Sequence, residues 1–151
     1  MSTIKPAYPN DNSSDSRCEN RLKQQFYPKA PNMVWVSDIT YIKVGQHFCY
    51  LCVIIDLYSR KVIGYRLSDK ADSAMVAELF IQVYEKRGCP RGLMFHSDRG
   101  CQYTSESFRK TLDRLDVMQS FSKKGYPYDN AVAESFFRYL KKEDPLRIVP
   151  K

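Results

Sequence analysis

The rhythm of hydrophobic and polar positions changes several times along the chain. Val34–Lys43 alternates and is rich in β-branched residues, which predicts a first strand. Val44-Gly45-Gln46 supplies a turn, and Phe48–Ile55 is apolar on both alternating faces, as a central strand buried on both sides requires. Leu57-Tyr58-Ser59-Arg60 turns the chain again, and Lys61–Ser68 alternates as a third strand, completing an antiparallel meander. The period then lengthens. Val76, Leu79, Phe80, Val83 and Tyr84 follow the spacing of an amphipathic helix, with Asp72 or Ser73 to cap it and Gly88 and Pro90 to stop it. Leu93–Ser97 reads as a short strand. Thr104 or Ser105 caps a second helix with Phe108, Leu112 and Leu115 inward, and Val117–Ser122 forms a fifth strand. Residues 122–128 form a loop, and Asp129 or Asn130 opens a last helix reaching about Lys142.

The order β-β-β-α-β-α-β-α predicts an α/β fold, a mixed sheet with helices on its faces. The folded core is expected over residues 34–144. Residues 1–33 read as a flexible tail and a linker docking in part on the domain, and 145–151 as a disordered tail. With 151 residues, 43% of them hydrophobic, the chain has enough material for one domain with a core. No apolar run approaches the roughly 20 residues that span a bilayer, and the first ten residues lack the apolar segment of a secretory signal. A cytoplasmic protein with no membrane partner is the expectation. Five cysteines form an odd set that fits reduced thiols. Cys49 and Cys52 fall on opposite faces of a strand, against a shared zinc site. Met94, Met118 and the aromatic positions are read as core.

A formal net charge of +7 favours a polyanionic partner, most commonly nucleic acid. Against that background three acidic residues stand out. Asp38 lies inside the apolar run Val34–Ile42, Asp98 closes Leu93–Ser97, and Glu134 falls within the first turns of the last helix. A carboxylate in a strand is disfavoured and costly to bury unless paired or metal-bound. Strands one and four become parallel neighbours where the meander meets the βαβ half, and ligands favour strand carboxyl ends at such a switch point. Three converging carboxylates repel one another, and a divalent cation resolves the conflict. Hard oxygen ligands suit Mg²⁺ or Mn²⁺, and a pair of such ions serves in-line phosphoryl transfer.

Four stretches carry a resemblance. They are Trp35–Tyr41, Asp56–Lys61, His96–Ser105 and Lys124–Phe137, with 35 residues between Asp98 and Glu134. Together they resemble the integrase catalytic core of bacterial insertion-sequence transposases, within the retroviral-integrase, ribonuclease-H-like superfamily, over roughly residues 19–143. The resemblance implies a DDE triad at Asp38, Asp98 and Glu134. It also implies two Mg²⁺ or Mn²⁺ ions, cutting and joining of DNA strands at insertion-sequence ends and in target DNA, and a homo-oligomer. It further implies a five-stranded mixed sheet of order 3-2-1-4-5 with strand two antiparallel to the rest. Members of this type carry an upstream helix-turn-helix region and a further helical segment past the last catalytic helix. Neither is evident, so an excised core or truncated product is expected.

The basic residues Lys123, Lys124, Arg138, Lys141 and Lys142 gather near Glu134 and are expected to contact phosphates rather than form only a solvated face. Asn130 either caps the last helix or, at i, i+4 from Glu134, reaches metal-bound water or phosphate. Tyr126 and Tyr128 either stack on a splayed base or pack. His96 is read as structural or a DNA contact, and Asp56 as a turn-fixing residue. Two alternatives remain: a catalytically silent DNA-binding or oligomerising remnant, and a ribonuclease-H-type nuclease.

Overall fold

A computed structural model describes residues 18–23, 27–122, 133 and 135–138 of the chain. Strands β1 (Val34–Val44), β2 (His47–Asp56) and β3 (Lys61–Ser68) form an antiparallel meander. On the other side of β1, β4 (Met94–Ser97) pairs parallel with it, and β5 (Met118–Phe121) pairs parallel with β4. The sheet order is β3-β2-β1-β4-β5, with β2 antiparallel to its neighbours, as the resemblance implied. This is the mixed sheet of a ribonuclease-H-like fold.

Three helices are described between β3 and β5: α1 (Ser73–Lys86), α2 (Cys101–Thr104) and α3 (Glu106–Arg114). Asp72 caps α1 by accepting the Met75 N–H at 3.0 Å, and Ser105 caps α3 by accepting the Phe108 N–H at 3.2 Å. The short α2 is absent from the sequence pattern. It has four residues and starts at Gly100, which offers no side-chain cap.

The two faces of the sheet bury separate cores. Trp35, Cys52, Ile54 and Phe95 pack with the apolar stripe of α1 and with Tyr103 and Phe108. Phe80 is the hub of this layer, with ring centroids 5.3 Å from Phe95, 5.8 Å from Trp35 and 5.5 Å from Tyr84. Gly64 of β3 lets α1 close on the sheet, since a Cβ there would overlap Val83 Cγ2. On the other face Val34, Val36, Val53 and Ile55 pack with Leu22, Ala133 and Phe137.

Residues 18–23 fall in the stretch read as a linker docking in part on the domain, and Cys18 and Leu22 are buried. The buried Ser120 hydroxyl explains the docking: it accepts the Arg21 and Leu22 N–H groups, each at 2.9 Å, while the Phe121 N–H donates to the Glu19 carbonyl at 2.9 Å. A correction concerns Met118 and the aromatic positions. Tyr41 and Phe48 are 54% and 55% exposed and Met118 is 48% exposed, so they are not core. The distal ends of β1 and β2 run past the helical layer, and burial in β2 is full only from Leu51 onward.

Candidate active site

The parallel pairing of β1 with β4 sets Val36 opposite His96. Asp38 lies two residues beyond Val36 on β1, and Asp98 lies two beyond His96, just past the end of β4. Strand alternation keeps the side chains of 36 and 38 on one face of the sheet. Antiparallel pairing puts Val53, a member of the second core, directly across from Asp38. Ala133 and Phe137 are buried in that same core, so the helical residues on either side of position 134 approach the face that carries Asp38.

Asp38 and Asp98 are both half-buried and both line a cavity of about 280 Å³, with Thr40, Tyr41, Tyr50, Gln102 and Tyr103 among its walls. Asp38 Oδ1 accepts the N–H of Ile39 at 2.8 Å, and Asp98 Oδ1 accepts the N–H of Gly100 at 2.8 Å. Each carboxylate is thereby oriented by backbone. Gly100 is required by close approach, because a Cβ there would stand 3.1 Å from Asp98 Oδ1 and 2.7 Å from Gln102 Oε1. Gln102 Nε2 donates to the Ala71 carbonyl at 2.9 Å, closing the wall between α2 and the approach to α1.

Beneath the carboxylates lies a buried polar cluster. The Tyr103 hydroxyl is 2.8 Å from Ser37 Oγ and 3.9 Å from Cys52 Sγ. Burial pushes the Tyr103 hydroxyl well above its ordinary pKa and raises the Cys52 thiol to about 11. Both are neutral at physiological pH, so the floor of the site adds no charge to Asp38 and Asp98. Sequence reasoning passed over Tyr103. Its signal was present, an aromatic residue five positions after the strand-end aspartate.

Glu134 lies outside the described residues, as do Lys123, Lys124, Tyr126, Tyr128, Asn130, Lys141 and Lys142. Arg138 is described, helical and exposed. Among the described residues no three His, Cys, Asp or Glu side chains gather as a metal-binding group. His96 is fully buried with Nδ1 2.8 Å from Ser120 Oγ, which removes it from any surface and gives it a structural place. Asp56 does fix its turn, accepting the Tyr58 N–H at 3.0 Å, and it also accepts the Asn32 N–H and pairs with Arg87. A larger hollow of about 690 Å³ lies between α3 and β5 and shares no wall residue with the carboxylate cavity. Its Glu106 and Lys110 face each other at 3.6 Å as an exposed helix pair. No helix among the described residues is long and apolar enough to cross a membrane.

Comparison with known proteins follows the same outline. Residues 28–127 match the integrase core domain model. The chain is 42% identical over 124 residues to a transposase for insertion sequence element IS904 of Lactococcus lactis, covering 82% of this chain and 49% of that protein. It is 42% identical over 125 residues to transposase InsF for insertion sequence IS3A of Escherichia coli, covering 83% and 43% respectively. The chain thus spans about half the length of these relatives, or less. Among solved structures, a chain of the simian T-cell lymphotropic virus intasome in complex with PP2A regulatory subunit B56 gamma superposes with a TM-score of 0.67 at 17% identity, over 97% of this chain and 52% of that one. The HTLV-2 integrase catalytic core domain in complex with magnesium gives 0.60 at 22% identity, over 74% and 68%. These two likenesses establish a shared fold. The match of residues 28–127 to the family model shows that the chain belongs to the integrase core domain family.

Proposed function

We propose that this chain is the catalytic core of a DDE transposase, a divalent-metal-dependent polynucleotidyl transferase that cuts and joins DNA strands. The observation that carries the reading is the convergence of Asp38 and Asp98 on one cavity from adjacent parallel strands. Family membership and 42% identity to insertion-sequence transposases support it.

The donor set fits the proposed metal. Two backbone-oriented carboxylates offer hard oxygen ligands in a half-buried cavity, the preference of Mg²⁺ or Mn²⁺ over softer ions. Glu134 would complete the set in this reading, which expects two ions. Bound there, the ions supply charge neutralisation at the scissile phosphodiester and activation of the attacking oxygen. Asp38 and Asp98 would hold the cations, while the Ile39 and Gly100 N–H groups orient the two carboxylates. Arg138, with Lys123, Lys124, Tyr126, Asn130, Lys141 and Lys142, provides phosphate and base contacts along the DNA. Insertion-sequence ends and target DNA are the substrates. The protein works as a homo-oligomer in the bacterial cytoplasm, on the nucleoid. In this reading residues 34–144 are the catalytic unit and 1–33 and 145–151 are its flanks.

The test is Mn²⁺ titration by calorimetry on the wild type, Asp38→Asn and Asp98→Asn, with cleavage of nicked or branched DNA on the same samples. Binding and cleavage that vanish together in folded variants support the assignment. A variant that cleaves as well as the wild type refutes it.

A further inference from the structure

Outside the carboxylates, the clearest unexplained surface is at the distal end of the β1–β2 hairpin. Tyr41 and Tyr50 are direct cross-strand partners, and Phe48 faces Lys43. The Tyr41 and Phe48 rings stack with centroids 5.5 Å apart and planes 14° apart, and Tyr50 packs on Tyr41 at 4.8 Å. Lys43 Nζ lies 5.9 Å from the Phe48 centroid. Cross-strand aromatic pairs stabilise hairpins, which accounts for the rings touching one another. It does not account for Tyr41 and Phe48 keeping more than half of their surface in water, when Cys52 and Ile54 further along the same strand are fully buried. Nor does it account for Tyr41 and Tyr50 sharing a cavity wall with Asp38 and Asp98.

We infer that Tyr41 and Phe48, with Lys43 beside them, form a stacking platform for unpaired bases of the DNA strand held at the carboxylates. The inference rests on the proposed function and adds to it a binding surface for a single-stranded end. Three observations select this occupant. Tyr41 of the platform, with its cross-strand partner Tyr50, lines the cavity that Asp38 and Asp98 also line. The platform combines two rings that are each more than half exposed with a cation, the pairing that holds a strand by base and backbone together. The chain's net charge of +7 suits a polyanion. Duplex DNA hides its base faces, so the platform discriminates for frayed or overhanging ends.

The experiment measures binding of the full chain to a blunt duplex and to the same duplex with a short 3′ overhang carrying 2-aminopurine, both in EDTA. Wild type is compared with Tyr41→Thr, Phe48→Thr and Tyr41→Trp. The threonine variants are expected to lose roughly tenfold in affinity for the overhang DNA, from the usual worth of one base–aromatic stack. Their blunt-duplex affinity is unchanged, and the 2-aminopurine quenching seen with wild type disappears. Tyr41→Trp retains both affinity and quenching. Wild-type protein that binds neither DNA overturns the proposed function and this inference together. Threonine variants that bind the overhang like wild type overturn the platform alone, as does a Tyr41→Trp variant as weak as Tyr41→Thr. Loss of self-association without loss of overhang binding also overturns it, assigning the patch to a second copy of the chain.

Discussion

The hydroxyl of Tyr103 stands 2.8 Å from the hydroxyl of Ser37, in a buried position directly behind the two site aspartates. Tyr103 belongs to the helical turn that follows Asp98, and Ser37 immediately precedes Asp38. One hydrogen bond therefore ties the loop of one carboxylate to the strand of the other. The Tyr103 carbonyl adds a second tie, accepting Gln119 Nε2 of β5 at 2.8 Å. Tyr103→Phe should cost about 1–2 kcal/mol, the worth of a buried hydrogen bond with one partner left behind. Because the bond joins the segments that carry Asp38 and Asp98, Mn²⁺ affinity should fall several-fold in the same variant. Urea unfolding and calorimetry separate the two effects. A destabilised variant with wild-type metal affinity would show that the tether serves the fold alone.

Gly100→Ala tests the orientation of Asp98 without touching any carboxylate. The new Cβ would sit 2.7 Å from Gln102 Oε1, which can swing away, and 3.1 Å from Asp98 Oδ1, which is held by the residue-100 N–H itself. Gly100 has φ −60°, ordinary for alanine, so no backbone strain is introduced. Thermal stability should change little while Mn²⁺ binding weakens several-fold, and DNA cleavage should drop roughly tenfold or more, the usual sensitivity of in-line chemistry to misplacement. Unaltered metal affinity would mean that the loop relaxes around the methyl group.

How much of this was legible in the sequence follows from how local each signal is. The β-branched run of β1, the doubly apolar half of β2 and the 3.6-residue stripe of α1 are local patterns, and each element lies within a residue or two of its expected bounds. The placement of Asp38 and Asp98 was legible because each aspartate interrupts or ends such a pattern. What stayed hidden depends on partners far along the chain. Leu22 reads as an isolated apolar residue in a polar stretch, and only the Ser120 hydroxyl, 98 positions away, explains its burial. Tyr41 and Phe48 read as strand core because alternation identifies a face but not where the covering helix stops. Tyr103 sits on a single helical turn too short to carry a period.

The buried thiol beside that turn gives a pH prediction. Burial raises the Cys52 pKa from an ordinary value of 9.0 to about 11. The folded chain therefore holds this proton more tightly than the unfolded chain does. The corresponding stability is fully present below about pH 9 and is lost as pH rises towards about 11. Wild type should show a steeper fall in unfolding free energy across that window than Cys52→Ala, which lacks the thiol. At neutral pH a thiol reagent should modify the exposed Cys89 and Cys101 and leave Cys52 protected in native protein. Equal alkaline slopes in both proteins would remove Cys52 as the source.

The last prediction concerns Asp56, which is fully buried opposite Trp35 where β1 begins. Its carboxylate accepts the N–H groups of Asn32 and Tyr58 and pairs with Arg87 at 3.2 Å. Arg87 also donates through Nε to Asn32 Oδ1 at 2.7 Å, and that oxygen receives the Trp35 indole N–H at 3.1 Å. The network joins the entry to β1, the end of β2 and the C-cap of α1. Removing one partner of a buried ion pair typically costs ~3–5 kcal/mol, since the other charge stays desolvated. Here the Arg87 side chain is 31% exposed and Asp56 keeps two backbone donors. Arg87→Met should therefore cost less, about 2–3 kcal/mol. Adding Asp56→Asn should cost little more, because the two residues act as a unit. Chemical denaturation of both singles and the double variant measures the coupling. Fully additive losses would mean that each residue stabilises its own segment and that no shared network joins them.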